Sequence, residues 1–174
     1  MTSFVNKLGA IAAGALAFSA FSGAAQAQTT FGSANITVSA KVLKECQLVT
    51  APASTLPFGS ISVLGTGNFN ATNSSFVVKC SKGTAYTIAI DAGQNSANCG
   101  GSRCMKHASL NEYLKYALYR DSGYATAWGV PTSVNVTSTG RANVTYNIYA
   151  QIANADADVN EGDYSDTVAL TLTY

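Results

Sequence analysis

Residues 34–42 alternate without a break: Ala34, Ile36, Val38, Ala40 and Val42 fall on one side, Asn35, Thr37, Ser39 and Lys41 on the other. A period of two held this long predicts a β-strand with one dry face and one wet face. The chain closes on the same pattern. In 166–174, Val168, Leu170, Leu172 and Tyr174 alternate with Thr167, Ala169, Thr171 and Thr173, so a strand is expected to run to the final residue. Clean amphipathic strands at both ends, with no polar tail to blunt them, leave edges that pair readily with other chains.

The segment before the first strand has the three zones of an export signal. Lys7 lies in a short start, 8–21 is an apolar run, and Ala25-Gln26-Ala27 is a small-residue cleavage site. The apolar run is shorter than the roughly 20 residues needed to cross a bilayer, and no later stretch is apolar enough to span one. Residues 1–27 are therefore read as a signal peptide, 28–42 as an N-terminal extension and 43–174 as one β-domain. Removing 27 of the 174 residues leaves 147, enough for a single core. Of 10 Lys+Arg, Lys7 goes with the signal, leaving 9 against 9 Asp+Glu. A balanced chain lacks the basic excess that nucleic acid or an anionic membrane surface requires, so neither is expected as a partner.

Export to an oxidising compartment favours disulfides among Cys46, Cys80, Cys99 and Cys104. Three pairings are possible. The most natural is Cys46 with Cys80, tying two strands, and Cys99 with Cys104, closing a small Gly/Ser-rich loop. The spacing Cys99-x4-Cys104-x2-His107 could instead begin a metal site, but no fourth ligand is evident. A disulfide beside a solvent-facing His107 is the expectation.

Along the chain, 43–50 reads as the first strand of the domain. Pro52 and Pro57 break it, and 56–63 reads as a short edge strand, where proline is tolerated. Residues 65–74 read as a polar turn. Runs 75–81 and 85–91, separated by Lys82-Gly83-Thr84, read as a hairpin. Residues 92–111 form a long loop dense in Gly, Asn and Ser, its tip pinned by Cys99 and Cys104, and either a contact surface or a solvated decoration. The run 113–121 reads as a strand with Leu114, Tyr116 and Leu118 together, and Trp128 as a core residue. Strands 133–138 and 143–152 follow, the second with Val144, Tyr146 and Ile148 on one face, then an acidic loop over 154–162. Short strands, frequent turns and little helix predict an all-β antiparallel sandwich of immunoglobulin-like type.

Catalytic chemistry is poorly supported. His107 is the sole histidine, and no nucleophile elbow, phosphate loop or zinc helix is present. Asp156, Asp158, Glu161 and Asp163 do not have calcium-loop spacing. No enzyme activity, catalytic residue, cofactor or metal is expected. The functional classes left are a fibre subunit and, in competition, a secreted single-domain binding module or coat protein that does not polymerise.

Several local patterns narrow this further. They are Phe58-Gly59, Tyr116-x-Leu118-Tyr119-x-Asp121 with Trp128-Gly129 behind it, Tyr146-x-Ile148-Tyr149, and above all the ending Gly162-x-Tyr164-x-Asp166-Thr167 running to Tyr174. Together they resemble the spore coat protein U domain, a family that includes pilins of the archaic, Csu-type chaperone-usher pathway. The Cys99/Cys104 loop is a departure from that pattern. The resemblance implies a sandwich lacking its last strand, held first by a periplasmic chaperone, passed through an outer-membrane usher, and completed by the extension of a neighbouring pilin on the surface of a Gram-negative cell. It makes Ala34, Ile36, Val38, Ala40 and Val42 the donor face, and Val168, Leu170, Leu172 and Tyr174 the edge of the acceptor groove. Such fibres serve adhesion and biofilm formation.

Overall fold

The computed structural model describes residues 31–174. The signal-peptide reading of 1–27 lies outside the described residues. The chain divides into two units, Met1–Ala40 and Lys41–Tyr174. In the first, residues 31–40 are exposed and carry no strand.

The second unit is built of short strands because each run has one apolar face to hide. They are β1 (Cys46–Thr50), β2 (Phe69–Asn70), β3 (Ser74–Cys80), β4 (Ala85–Ile90), β5 (Cys104–His107), β6 (Tyr113–Lys115), β7 (Ala117–Tyr119), β8 (Val134–Thr137), β9 (Val144–Ile152), β10 (Tyr164–Ser165) and β11 (Leu170–Thr173). Helix among the described residues is limited to 3-10 turns at Ser96–Cys99 and Asn154–Asp156. No helix among them is long and apolar enough to cross a membrane. Every strand pairing is antiparallel.

One sheet runs β1-β3-β9, with β7 and β2 also on β9; a second runs β11-β4-β8; a small third runs β10-β5-β6. The first two enclose the main core. Phe76, Val78 and Cys80 come from β3, Tyr86, Ile88 and Ile90 from β4, and Leu118, Trp128, Ile148 and Ala150 complete it. Phe76 stacks on Tyr146 at 5.3 Å, and Tyr146 and Tyr86 join hydroxyls across the sandwich at 2.7 Å. A second, smaller core gathers Leu114, Ile152 and Ala157, and Phe58 and Tyr116 border both.

Four expectations are corrected. β3 and β4 are not a hairpin: they lie in different sheets, so Ser81–Thr84 arches from one to the other. Both strands bury one face, and each satisfies its alternation against the opposite sheet as well as it could against a neighbour. Gly83 at φ 78° and the 2.7 Å contact of the Ser81 and Thr84 hydroxyls shape the arch. The 56–63 segment forms no strand; its anchor is the Pro57 carbonyl, which accepts from the Thr72 amide at 3.2 Å. The 65–74 turn contains β2, paired with the end of β9. Finally, 113–121 splits at Tyr116, so that β6 joins the small sheet and β7 joins β9, while Leu114 and Leu118 are both buried.

Both disulfides of the natural pairing are formed. Cys46 and Cys80 are direct cross-strand partners of β1 and β3, with Cα atoms 4.1 Å apart.

Candidate functional site

A groove of about 910 Å³ opens along the domain. One wall is the irregular stretch after β1, including Leu56, Phe58 and Ile61; the other includes Val168 and Leu170, leading into β11. Its floor is core: Ile90, Leu118, Ile148, Ala150 and Ile152 all line it and all are buried. The groove is thus a gap in the sandwich rather than a dimple on it. β11 pairs with β4 and stands at the end of its sheet. Among the described residues its other edge has no partner strand, which leaves it able to receive an added one.

The residues singled out from sequence fall as follows. Val168 and Leu170 line the groove, and Leu172 packs against the main core. Tyr174 is 60% exposed and, with Thr173 and Tyr86, borders a separate shallow hollow. Ile36, Val38 and Val42 are 86, 91 and 88% exposed, and Ala34 and Ala40 are exposed too. An alternating apolar face this exposed is uncommon in a folded chain.

The small sheet closes one end of the groove, contributing Met105, Leu114 and Tyr164. Here the 92–111 loop is corrected. The Cys99–Cys104 bridge is formed as expected, but the segment is not a solvated decoration, since β5 is the centre of the small sheet and Cys99, Arg103, Cys104 and His107 are all buried. The Arg103 guanidinium donates to the carbonyls of Asp91 (2.7 Å), Trp128 (2.6 Å) and Ile90 (2.6 Å). Burial lowers its pKa, and neighbouring Tyr116, Asp91 and Asp166 oppose that shift. His107 is not solvent-facing. Its Nδ1 accepts from the amides of Ser109 and Leu110, both at 2.9 Å, so Nε2 carries the proton and donates to the Glu161 carbonyl at 3.0 Å. Gly162 is required there because a Cβ would strike that ring. Trp128 is a core side chain, its Nε1 donating to the Asn147 carbonyl at 2.9 Å.

The acidic loop over 154–162 is also more than a solvated stretch, since Ala157 is buried in the smaller core and Val159 packs against it. It is tied down by Tyr164, whose hydroxyl lies 2.9 Å from Glu112 Oε2 and 2.8 Å from the Asn160 carbonyl. Burial and the Glu112 hydrogen bond push this phenol from 10.0 up to about 12, while the Tyr164 hydroxyl holds the Glu112 carboxyl below its usual range. A phenol raised on folding stabilises the fold fully below its unfolded value, and that contribution is lost as pH rises through the folded one. Tyr164→Phe is therefore expected to flatten part of the fall in thermal stability between pH 10 and about 12; a melting-temperature series across that range, unchanged by the substitution, would refute the tether.

The sequence profile described as Spore Coat Protein U domain matches residues 11–171. Protein U of Myxococcus xanthus is 30% identical over 162 residues, covering 85% of this chain and 88% of that protein. Among solved structures, one similar chain comes from the chaperone-tip adhesion subunit pre-assembly complex of the archaic chaperone-usher Csu pili of Acinetobacter baumannii. The TM-score is 0.51 at 24% identity, over 76% of this chain and 40% of that one, so the likeness is one of fold.

Proposed function

Because this chain belongs to the Spore Coat Protein U domain family, we propose that it is a structural subunit of a surface pilus, joined to its neighbours by donor-strand exchange. The observation that carries this reading is the pairing of two incomplete features: a core-floored groove beside a free sheet edge, and an alternating apolar segment with its dry face in water. Each supplies what the other lacks. In this reading the segment 34–42 of one subunit lies in the groove of the next, its amides and carbonyls pairing with the edge while Ala34, Ile36, Val38, Ala40 and Val42 meet the floor.

Full burial of Ile36, Val38 and Val42 at about 1.5–3 kcal/mol each, with smaller terms from the two alanines, gives roughly 5–10 kcal/mol before ordering costs. Ladder bonds add to this, so the joint opens slowly. A head-to-tail joint does not close on itself and builds an open filament. The same groove, before assembly, is the place for a chaperone strand. Export, passage through an outer-membrane usher, and adhesion or biofilm formation by the finished fibre follow from the pilus reading. The role is structural rather than enzymatic.

The test is to express the mature chain with a periplasmic chaperone of this pathway and run it unboiled on a denaturing gel. Strand exchange predicts a ladder of multimers that collapses to monomer on boiling. A single monomer band with or without heating, from a chain whose 34–42 segment is paired within its own sheet, would overturn the proposal.

A further inference from the structure

One carboxylate at the groove has no counterpart in the strand-exchange account. Asp166 lines the groove at the start of the segment that carries Val168 and Leu170. Its Oδ1 accepts from the Gln94 amide and from Asn95 Nδ2, both at 3.0 Å, and its Oδ2 accepts from the Tyr116 hydroxyl at 2.8 Å. All three donors come from outside its own segment. Burial, then the bond to Asp166, drives the Tyr116 phenol far upward, so it remains a donor across the accessible pH range. Gly93, at φ 78°, passes so close that a Cβ would collide with the Asp166 carboxylate. A second clasp follows: Asp91 Oδ1 accepts from the Ala169 amide at 2.9 Å, and the Asp91 amide donates to the Ala169 carbonyl at 3.0 Å. Arg103 fixes the Asp91 carbonyl, and the Cys99–Cys104 disulfide closes the loop that bears it.

An unfilled apolar slot is under a constant drive to collapse, since its walls gain contacts and shed water by closing. Here the facing walls are Val168 and Leu170 on one side and Leu56 and Phe58 on the other. We propose that Asp166 is a latch for the groove: by bonding backward to the 92–104 loop and Tyr116, it holds the 166–170 wall at the spacing an incoming strand needs. The inference rests on the strand-exchange reading. It makes Asp166 a positioning residue and gives the 92–104 loop a task in assembly. For the wall to move inward, the carboxylate would have to leave three donors behind, and partly buried polar groups left unpaired oppose that movement.

The experiment compares polymers of the full mature chain carrying Asp166→Ala, Asp166→Asn or Tyr116→Phe, timing the loss of the unboiled ladder at fixed temperature. Asp166→Ala is expected to speed dissociation about tenfold, the equivalent of one to two lost hydrogen bonds. Asp166→Asn should stay within about twofold of wild type, because its oxygen still accepts from Gln94 and Asn95 while its amide donates to the Tyr116 oxygen. Rescue by asparagine is the signature of a hydrogen-bonded latch. A ladder in Asp166→Ala that decays at the wild-type rate would overturn the latch and leave strand exchange standing; absence of any ladder in the wild type would overturn strand exchange itself. If Asp166→Ala does not fold, Tyr116→Phe, which keeps the ring and removes one donor, decides alone: dissociation about threefold faster supports the latch, and an unchanged rate overturns it.

Discussion

Val38→Asp is expected to abolish the multimer ladder while leaving the subunit folded. Val38 is 91% exposed in the single chain, so the substitution costs the monomer almost nothing. In the proposed joint the same side chain is the centre of the donor face. The variant loses about 1.5–3 kcal/mol of burial. It also brings a carboxylate onto a floor of Ile90, Leu118 and Ile148, where an unpaired charge costs several kcal/mol more. Against a gross 5–10 kcal/mol for the apolar part of the joint, that is enough to prevent assembly. Ser39→Asp is the control. It places the same charge one residue away, on the polar side of the alternation, and should assemble normally. Unboiled gels of both variants check the pair: a normal ladder from Val38→Asp, or loss of the ladder in both, would contradict a donor face defined by residues 34, 36, 38, 40 and 42.

The period-two pattern was informative about faces and silent about neighbours. It puts Leu114 and Leu118 on one side of their run, and both are buried. It could not say that β3 and β4 belong to opposite sheets, because a four-residue arch and a hairpin loop draw on the same Gly-containing composition. The 92–111 loop was misread for a different reason. Gly, Asn and Ser count as wet in any composition, yet Arg103 is buried because carbonyls outside the loop accept from it, and His107 because the Ser109 and Leu110 amides and the Glu161 carbonyl satisfy its ring. Burial by satisfaction leaves no periodic trace. The groove is legible only as something missing: no local pattern announces a gap, and it was the likeness of the 162–174 ending to a known family that pointed to one. That ending contains Tyr164 and Asp166, and both prove to be hydrogen-bonded at the groove.

Arg103→Leu is expected to destabilise the domain by about 3–5 kcal/mol. Arg103 is 4% exposed, and its guanidinium serves the carbonyls of Ile90, Asp91 and Trp128 at once. Ile90 and Asp91 are consecutive at the end of β4 and Trp128 lies elsewhere in the chain, so one side chain ties its own loop to two separate stretches. Leucine fills part of the volume and leaves three acceptors without donors, each costing about 1–3 kcal/mol before relaxation. Lysine keeps the charge but not the planar fork, and from one ammonium cannot reproduce three divergent bonds; Arg103→Lys should lose about half as much. The chain has one tryptophan, and its carbonyl is one of the three, so denaturant unfolding followed by fluorescence reads global stability and the local environment of Trp128 together. An Arg103→Leu midpoint within about 0.5 kcal/mol of wild type would mean that water replaces the guanidinium without loss. The carbonyl hub would then not be what holds the loop, and the wall it braces, in place.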